Sequence, residues 1–153
     1  MLKMGVNYKN MKTTRSQIFE SNSSSSHSLT IGGKVVRPSK LKDTNTYTIH
    51  GGEFGWGYET YSYPASKISY TAVEAISTNN EILKDWLEEI IKEMYKVDEV
   101  EYDFSTEYDN GKNCSYIDHQ SYGTVADSVS SKSELEQFLF GDCSRLIIDN
   151  DNH

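Results

Sequence analysis

Cysteine is scarce in this 153-residue chain, with only Cys114 and Cys143 present. Two thiols exclude a disulfide scaffold and a cysteine-built zinc site, and such sparse usage suits a reducing compartment. No apolar run approaches the length of about 18 residues that a membrane-spanning helix needs. None follows the basic N-terminus either, so no secretory signal is expected. Apolar residues make up only 36% of the chain, and tyrosine supplies 11 of its aromatic side chains. Much of the core must therefore be built from rings with a polar tip. Walker loops, GxSxG elbows and HExxH pairs are absent, which removes the commonest nucleotide, hydrolase and metalloprotease signatures. At roughly 150 residues per domain, the length fits a single domain.

Basic charge is short overall and unevenly placed. The net charge is −8, yet residues 1–50 carry eight Lys/Arg against two acids, while residues 101–153 carry three against eleven. A field of this sign repels nucleic acid from most of the surface, so direct duplex DNA binding is not expected. The basic first third can still line a local anion site, and the acidic remainder can attract a basic partner surface.

The pattern along the chain predicts an α+β fold with a mainly antiparallel sheet, a long amphipathic helix and two shorter helices. Residues 1–14 are polar and unpatterned, and read as a flexible extension before an α+β domain at 15–153; Met1 and Met11 both offer starts. His27–Ile31, Thr46–His50, Val100–Phe104 and Arg145–Ile148 carry strand patterns. Pro64 suits a first helical turn, with Ile68, Ala72, Ala75 and Ile76 at helical spacing. The strongest periodicity spans 81–95. There Ile82, Leu83, Trp86, Leu87, Ile90, Ile91, Met94 and Tyr95 form one stripe, and charged residues form the other. Ser131-Lys132-Ser133-Glu134 is a capping box opening a short helix that Gly141 stops.

Four segments could carry chemistry. In Asn22-Ser23-Ser24-Ser25-Ser26-His27-Ser28, hydroxyls and turn N–H groups can form an anion-binding nest, with Arg15 close in sequence and His27 supplying a proton. Ile117-Asp118-His119-Gln120-Ser121 sets a carboxylate beside an imidazole, and contains the His-x-Ser pattern of two-histidine phosphoesterases, of which only one full copy is present. Gly51–Gly57 has four glycines in seven residues. It lets the backbone approach a ligand closely, with Glu53 and Trp56 alongside. Asp149, Asp151 and His153 could hold a divalent cation, although a frayed acidic tail is the commoner outcome. No metal or cofactor is assigned.

The stretch Arg15–Ile31 (RSQIFESNSSSSHSLTI) resembles the signature of a family of small, uncharacterised proteins from phages and mobile elements of low-GC Gram-positive bacteria. That family opens with a basic stretch and a Phe-Glu-Thr/Ser-Asn-Ser-Ser-Ser-x-His-Ser core. Further similarity lies in Gly-Gly-Glu-Phe-Gly-Trp-Gly at 51–57, Ile-Asp-His-Gln-Ser at 117–121 and Asn-Asp-Asn at 150–152. The resemblance implies a gene context, the cytoplasm of a bacterial host, and supports Met11 as an alternative start; it implies no chemistry.

Two functions follow. In the first, a polar cleft binds or hydrolyses a phosphorylated ligand, a nucleotide or a phosphodiester. His27 and His119 act as acid and base beside Asp118, while Arg15, Asn22, Ser23, Ser24, Ser25, Ser26, Ser28, Glu53, Trp56 and Ser121 bind the ligand. In the second, a non-enzymatic acidic inhibitor blocks a host defence nuclease, CRISPR or similar, by nucleic-acid mimicry. The first partner is a phosphorylated small molecule, the second a basic host protein surface.

Overall fold

The computed structural model describes residues 12–16, 25–55, 57–105, 115–117 and 123–150. In chain order they form β1 (Lys12–Ser16), β2 (Ser25–Ile31), β3 (Thr46–His50), β4 (Glu53–Phe54), β5 (Glu59–Tyr61), α1 (Pro64–Ser77), α2 (Glu81–Tyr95), β6 (Glu99–Asp103), β7 (Tyr116–Ile117), α3 (Thr124–Ser128), α4 (Lys132–Phe140) and β8 (Arg145–Asn150). This is an α+β fold.

The main sheet has the order β1-β2-β8-β5, antiparallel at every junction. Side chains alternate across a strand. Along β2 the residues His27, Leu29 and Ile31 therefore point into the core, as do Leu146 and Ile148 of β8. Two smaller pairs, β3–β6 and β4–β7, are parallel. A parallel pair needs a long crossover, and α1 with α2 supplies it between β3 and β6.

α2 follows its periodicity. Asn80 caps it, its Oδ1 accepting from the Leu83 N–H at 3.0 Å, and Lys96 ends it in the left-handed region at φ 58°. Leu83, Leu87, Ile90, Ile91 and Met94 are buried. Two expected members of the stripe lie off its centre: Trp86 is only partly buried, and Ile82 is exposed. Both sit on the flank of the Leu83–Leu87–Ile90–Met94 line that faces the core. The capping box of α4 forms as expected, with Ser131 Oγ accepting from Glu134 N–H at 3.1 Å.

The expected α+β fold with a mainly antiparallel sheet stands, and three details add to it. α1 has 14 residues against 15 in α2, so the long helix has a near-equal neighbour and only α3 and α4 are short. Lys12–Thr14, assigned above to the extension, belong to β1, whose backbone pairs with β2. The two small sheets are parallel, the four-stranded sheet is antiparallel, and an isolated antiparallel bridge joins Val35 to Gly141.

α1 is the central element. Lys67, Ile68, Tyr70, Thr71, Ala72, Val73, Glu74 and Ala75 are all buried. Its two charges, Lys67 and Glu74, are seven residues apart and lie inside the protein. No helix among the described residues is long and apolar enough to cross a membrane.

Candidate functional site

α1 enters from Tyr63, which gives no side-chain cap, and Pro64 fills a first-turn position. The first four N–H positions of a helix have no partner within it. Proline has no N–H, and the Lys67 N–H is held by the Tyr63 carbonyl at 3.3 Å. The N–H groups of Ala65 and Ser66 have no acceptor among the described residues.

Ala65 and Ser66 line a cavity of about 350 Å³, with Ile68 and Ser69 on the same wall. The opposite wall is the end of β3 and the bend after it: Tyr47, Thr48, Ile49, His50, Gly51, Gly52 and Phe54. The two walls are tied where Ser69 Oγ donates to the His50 carbonyl at 2.6 Å. Gly51 is required by close approach, because a Cβ there would collide with the Ser115 side chain and the Phe104 ring. Its N–H donates to the Asp103 carbonyl at 3.1 Å. The His50 side chain is 74% exposed at the rim, with Nδ1 3.8 Å from Asp103 Oδ2. The Ser105 hydroxyl and N–H, more than His50, hold the Asp103 carboxyl below its ordinary range.

Behind this cavity lies a buried polar network. His27 is 0% exposed, and its Nδ1 hydrogen-bonds the Tyr70 hydroxyl at 2.7 Å. Burial, then the Glu74 charge, raises the Tyr70 pKa far above its ordinary value, so the phenol keeps its proton. Phe54 meets Tyr70 edge-on at 5.2 Å, and the Thr124 hydroxyl lies beside the phenol. One turn on, Glu74 Oε1 accepts from Val125 N–H at 2.8 Å and Oε2 from Ala126 N–H at 2.9 Å, fastening α3 to α1. Burial raises the Glu74 carboxyl to about 7 against the restraint of those two N–H donors, with Asp127 adding to the rise.

The residues singled out from sequence fall as follows. His27 is a core residue, not the rim of an open cleft, because strand alternation turns it inward with Leu29 and Ile31. Ser28 is buried; the Ser26 Oγ is buried and has no hydrogen-bond partner among the described residues. In backbone register Ser26 lies opposite Asp149, and Arg15 opposite Ser28. Ser25 opens β2. Glu53 is exposed on β4, opposite Tyr116 of β7. Asn22, Ser23, Ser24, Trp56, Asp118, His119 and Ser121 lie outside the described residues. His27 and Phe54 both meet Tyr70, with Thr124 alongside; none but His27 was a candidate from the sequence.

Sequence reading passed over Ala65, Ser66, Lys67, Tyr70 and Glu74. A signal was available: a 14-residue helix with only two charges lacks the charged stripe of a surface helix, which suits a central position. Among the described residues no group of three or more His, Cys, Asp or Glu could hold a metal. The chain matches no protein-family model, no curated protein and no solved structure.

Proposed function

We propose that the protein binds a small phosphorylated ligand in the cavity between the Gly51–Gly52 bend and the first turns of α1. One observation carries this reading: Ala65 and Ser66, whose N–H groups have no acceptor among the described residues, line a cavity whose opposite wall includes Gly51 and Gly52. Helix N-terminal N–H groups favour anions, and the helix dipole adds to them. His50 at the rim supplies positive charge when protonated, while Tyr47 and Phe54 offer apolar wall for the ligand's body. The volume falls within the range of about 300–1,000 Å³ common for small-molecule sites. The reading is of binding; His27 is not among the residues that line this cavity. With the family resemblance, it fits an accessory protein of a phage or mobile element, acting in the bacterial cytoplasm.

The test is titration of the ¹⁵N-labelled chain with inorganic phosphate and with a nucleoside monophosphate. Saturable shifts are expected at Gly51, Gly52, Ala65 and Ser66. Ser66→Asp, which sets a carboxylate at the same N–H groups, should abolish them. Shifts confined to the basic residues before His50 would refute the site.

A second reading, an acidic face that docks on a basic protein surface in place of nucleic acid, is favoured by a different observation. Residues 81–103 carry nine carboxylates against three lysines. Glu99, Glu101 and Asp103 stand exposed on one side of β6, as do Glu81, Asp85, Glu89 and Glu93 on α2. Tyr102 donates to Glu88 Oε2 at 2.5 Å, and its pKa is raised by burial first, then by Glu88, Asp85 and Glu81. Binding to a basic partner should weaken steeply with salt, and Glu101→Lys with Asp103→Lys should abolish it. Salt-insensitive binding would remove this reading.

A further inference from the structure

α1 has a second cavity on its other side, of about 300 Å³. Val36, Pro38, Pro64, Leu139 and Phe140 make its walls apolar. The segment at 36–38 is fixed to the end of α4, where Val36 N–H donates to the Phe140 carbonyl at 2.9 Å. Two cations line this cavity, Lys67 and Arg37.

Lys67 is 0% exposed. An ammonium has three donors. One goes to the Ser144 carbonyl at 3.1 Å, and the Phe138 ring lies 5.5 Å from Nζ. Among the described residues no carboxylate lies within ion-pair distance of Lys67 and no second acceptor meets it. Arg37 is likewise without a carboxylate; Nη1 reaches only Met94 Sδ, at 3.6 Å. Asp142 also lines the cavity; its Oδ1 accepts from the Lys34 N–H at 2.8 Å, and its carboxylate makes no ion pair with Lys67 or Arg37. A buried cation without a counter-charge is costly. An arriving anion would supply that charge and the missing acceptors together.

We propose that this cavity is a second ligand site, for a small monocarboxylate with an apolar body, in which Lys67 anchors the carboxylate and Arg37 assists. The apolar walls select for the body and against a strongly hydrated dianion such as phosphate. A planar carboxylate oxygen pair suits both the two spare Lys67 donors and the guanidinium fork. At neutral pH burial leaves Lys67 mainly protonated, since it lowers the ammonium only to about 8. The site is independent of the phosphate cavity, which lies across α1.

The experiment is titration of the ¹⁵N, ¹³C-labelled full chain with hexanoate and benzoate, with acetate and inorganic phosphate as controls. The readouts are the Val36 and Leu139 methyls and the Gly141 amide. Saturable shifts with hexanoate or benzoate are expected, weaker with acetate and none with phosphate. Lys67→Met removes a charge-assisted hydrogen bond and should weaken binding roughly tenfold to a hundredfold. Methionine matches lysine in length, and replacing a buried charge by an apolar side chain is often neutral or stabilising. Should that variant not fold, Val36→Trp decides, because Val36 is exposed at the mouth and tryptophan there blocks entry without touching Lys67. No saturable binding at about 10 mM, equal binding by phosphate, or affinity unchanged in the folded Lys67→Met chain or in Val36→Trp would each overturn the proposal.

Discussion

Replacing Glu74 with glutamine keeps the side chain's shape and removes its charge, which isolates the cost of ionising a carboxyl inside α1. In the folded chain burial lifts this carboxyl from its ordinary 4.5 to about 7. The folded protein therefore holds the proton more tightly than the unfolded chain. Between pH 4.5 and 7 the folded state carries more protons, and stability falls as pH rises across that window. It is fully present below 4.5, and its loss is complete above 7. Each tenfold difference in proton affinity is worth about 1.36 kcal/mol, so the whole fall is about 3 kcal/mol.

Glutamine cannot ionise, so Glu74→Gln should be free of that slope. It starts from a handicap, since its NH₂ cannot accept from Val125 or Ala126 N–H, and one lost buried acceptor costs about 1–3 kcal/mol. At pH 4 the variant should therefore be the less stable chain. By pH 8 the difference should have moved by about 3 kcal/mol in its favour. Urea unfolding of both chains at intervals from pH 4 to 8 reads this directly, because other carboxyls cancel in the difference. A difference constant within about 1 kcal/mol would refute the reasoning; it would mean that water reaches Glu74 in the folded state.

Lys67 has the opposite sign: burial depresses its ammonium from 10.5 to about 8, so stability should rise with pH from 8 to 10.5. Lys67→Met should lose that rise, and urea midpoints at pH 8 and 10 that climb equally in both chains would contradict it. Tyr70→Phe removes the hydroxyl that bonds His27 Nδ1 at 2.7 Å and should cost about 1–3 kcal/mol, with the His27 ring signals shifting by NMR; unchanged stability and signals would show the pair to be dispensable. Leu87→Ala empties a fully buried position on α2 and should cost about 2–5 kcal/mol by thermal unfolding. Ile82→Ala on the exposed flank should cost little, and equal losses would contradict the assigned helix face.

What the sequence discloses of the fold is mostly local. α2 is legible because its apolar residues recur at helical spacing over four turns, and the capping box at Ser131–Glu134 states where α4 begins. The order β1-β2-β8-β5 is not legible, since it joins residues 12–16 and 25–31 to residues 145–150 through contacts that no local pattern specifies. β4, β5 and β7 are two or three residues long, too short to show a period. The glycine segment at 51–57 does mark a place where backbone comes close to something, and Gly51 packs against Ser115 and Phe104. The other wall was hidden because Ala65 and Ser66 contribute main-chain N–H groups, which every residue but proline has.

The buried charges of α1 mark where this fold departs from a plain core. Lys67 and Glu74 occupy buried helix positions of the kind apolar residues ordinarily fill. Glu74 has a structural answer: both its oxygens hold N–H groups of α3, and through α3 the charge fixes Thr124 beside Tyr70 and His27. Lys67 has half of one, since among the described residues the Ser144 carbonyl is its one acceptor and an ammonium has three donors. The difference separates the two residues. Removing Glu74 should loosen α3 whether or not a ligand is present, whereas replacing Lys67 by methionine should leave the chain folded at neutral pH, alter what its cavity can hold, and remove the stability rise above pH 8. Conflicts between local preference and global burial concentrate at functional sites, and Lys67 borders a cavity that could use its charge.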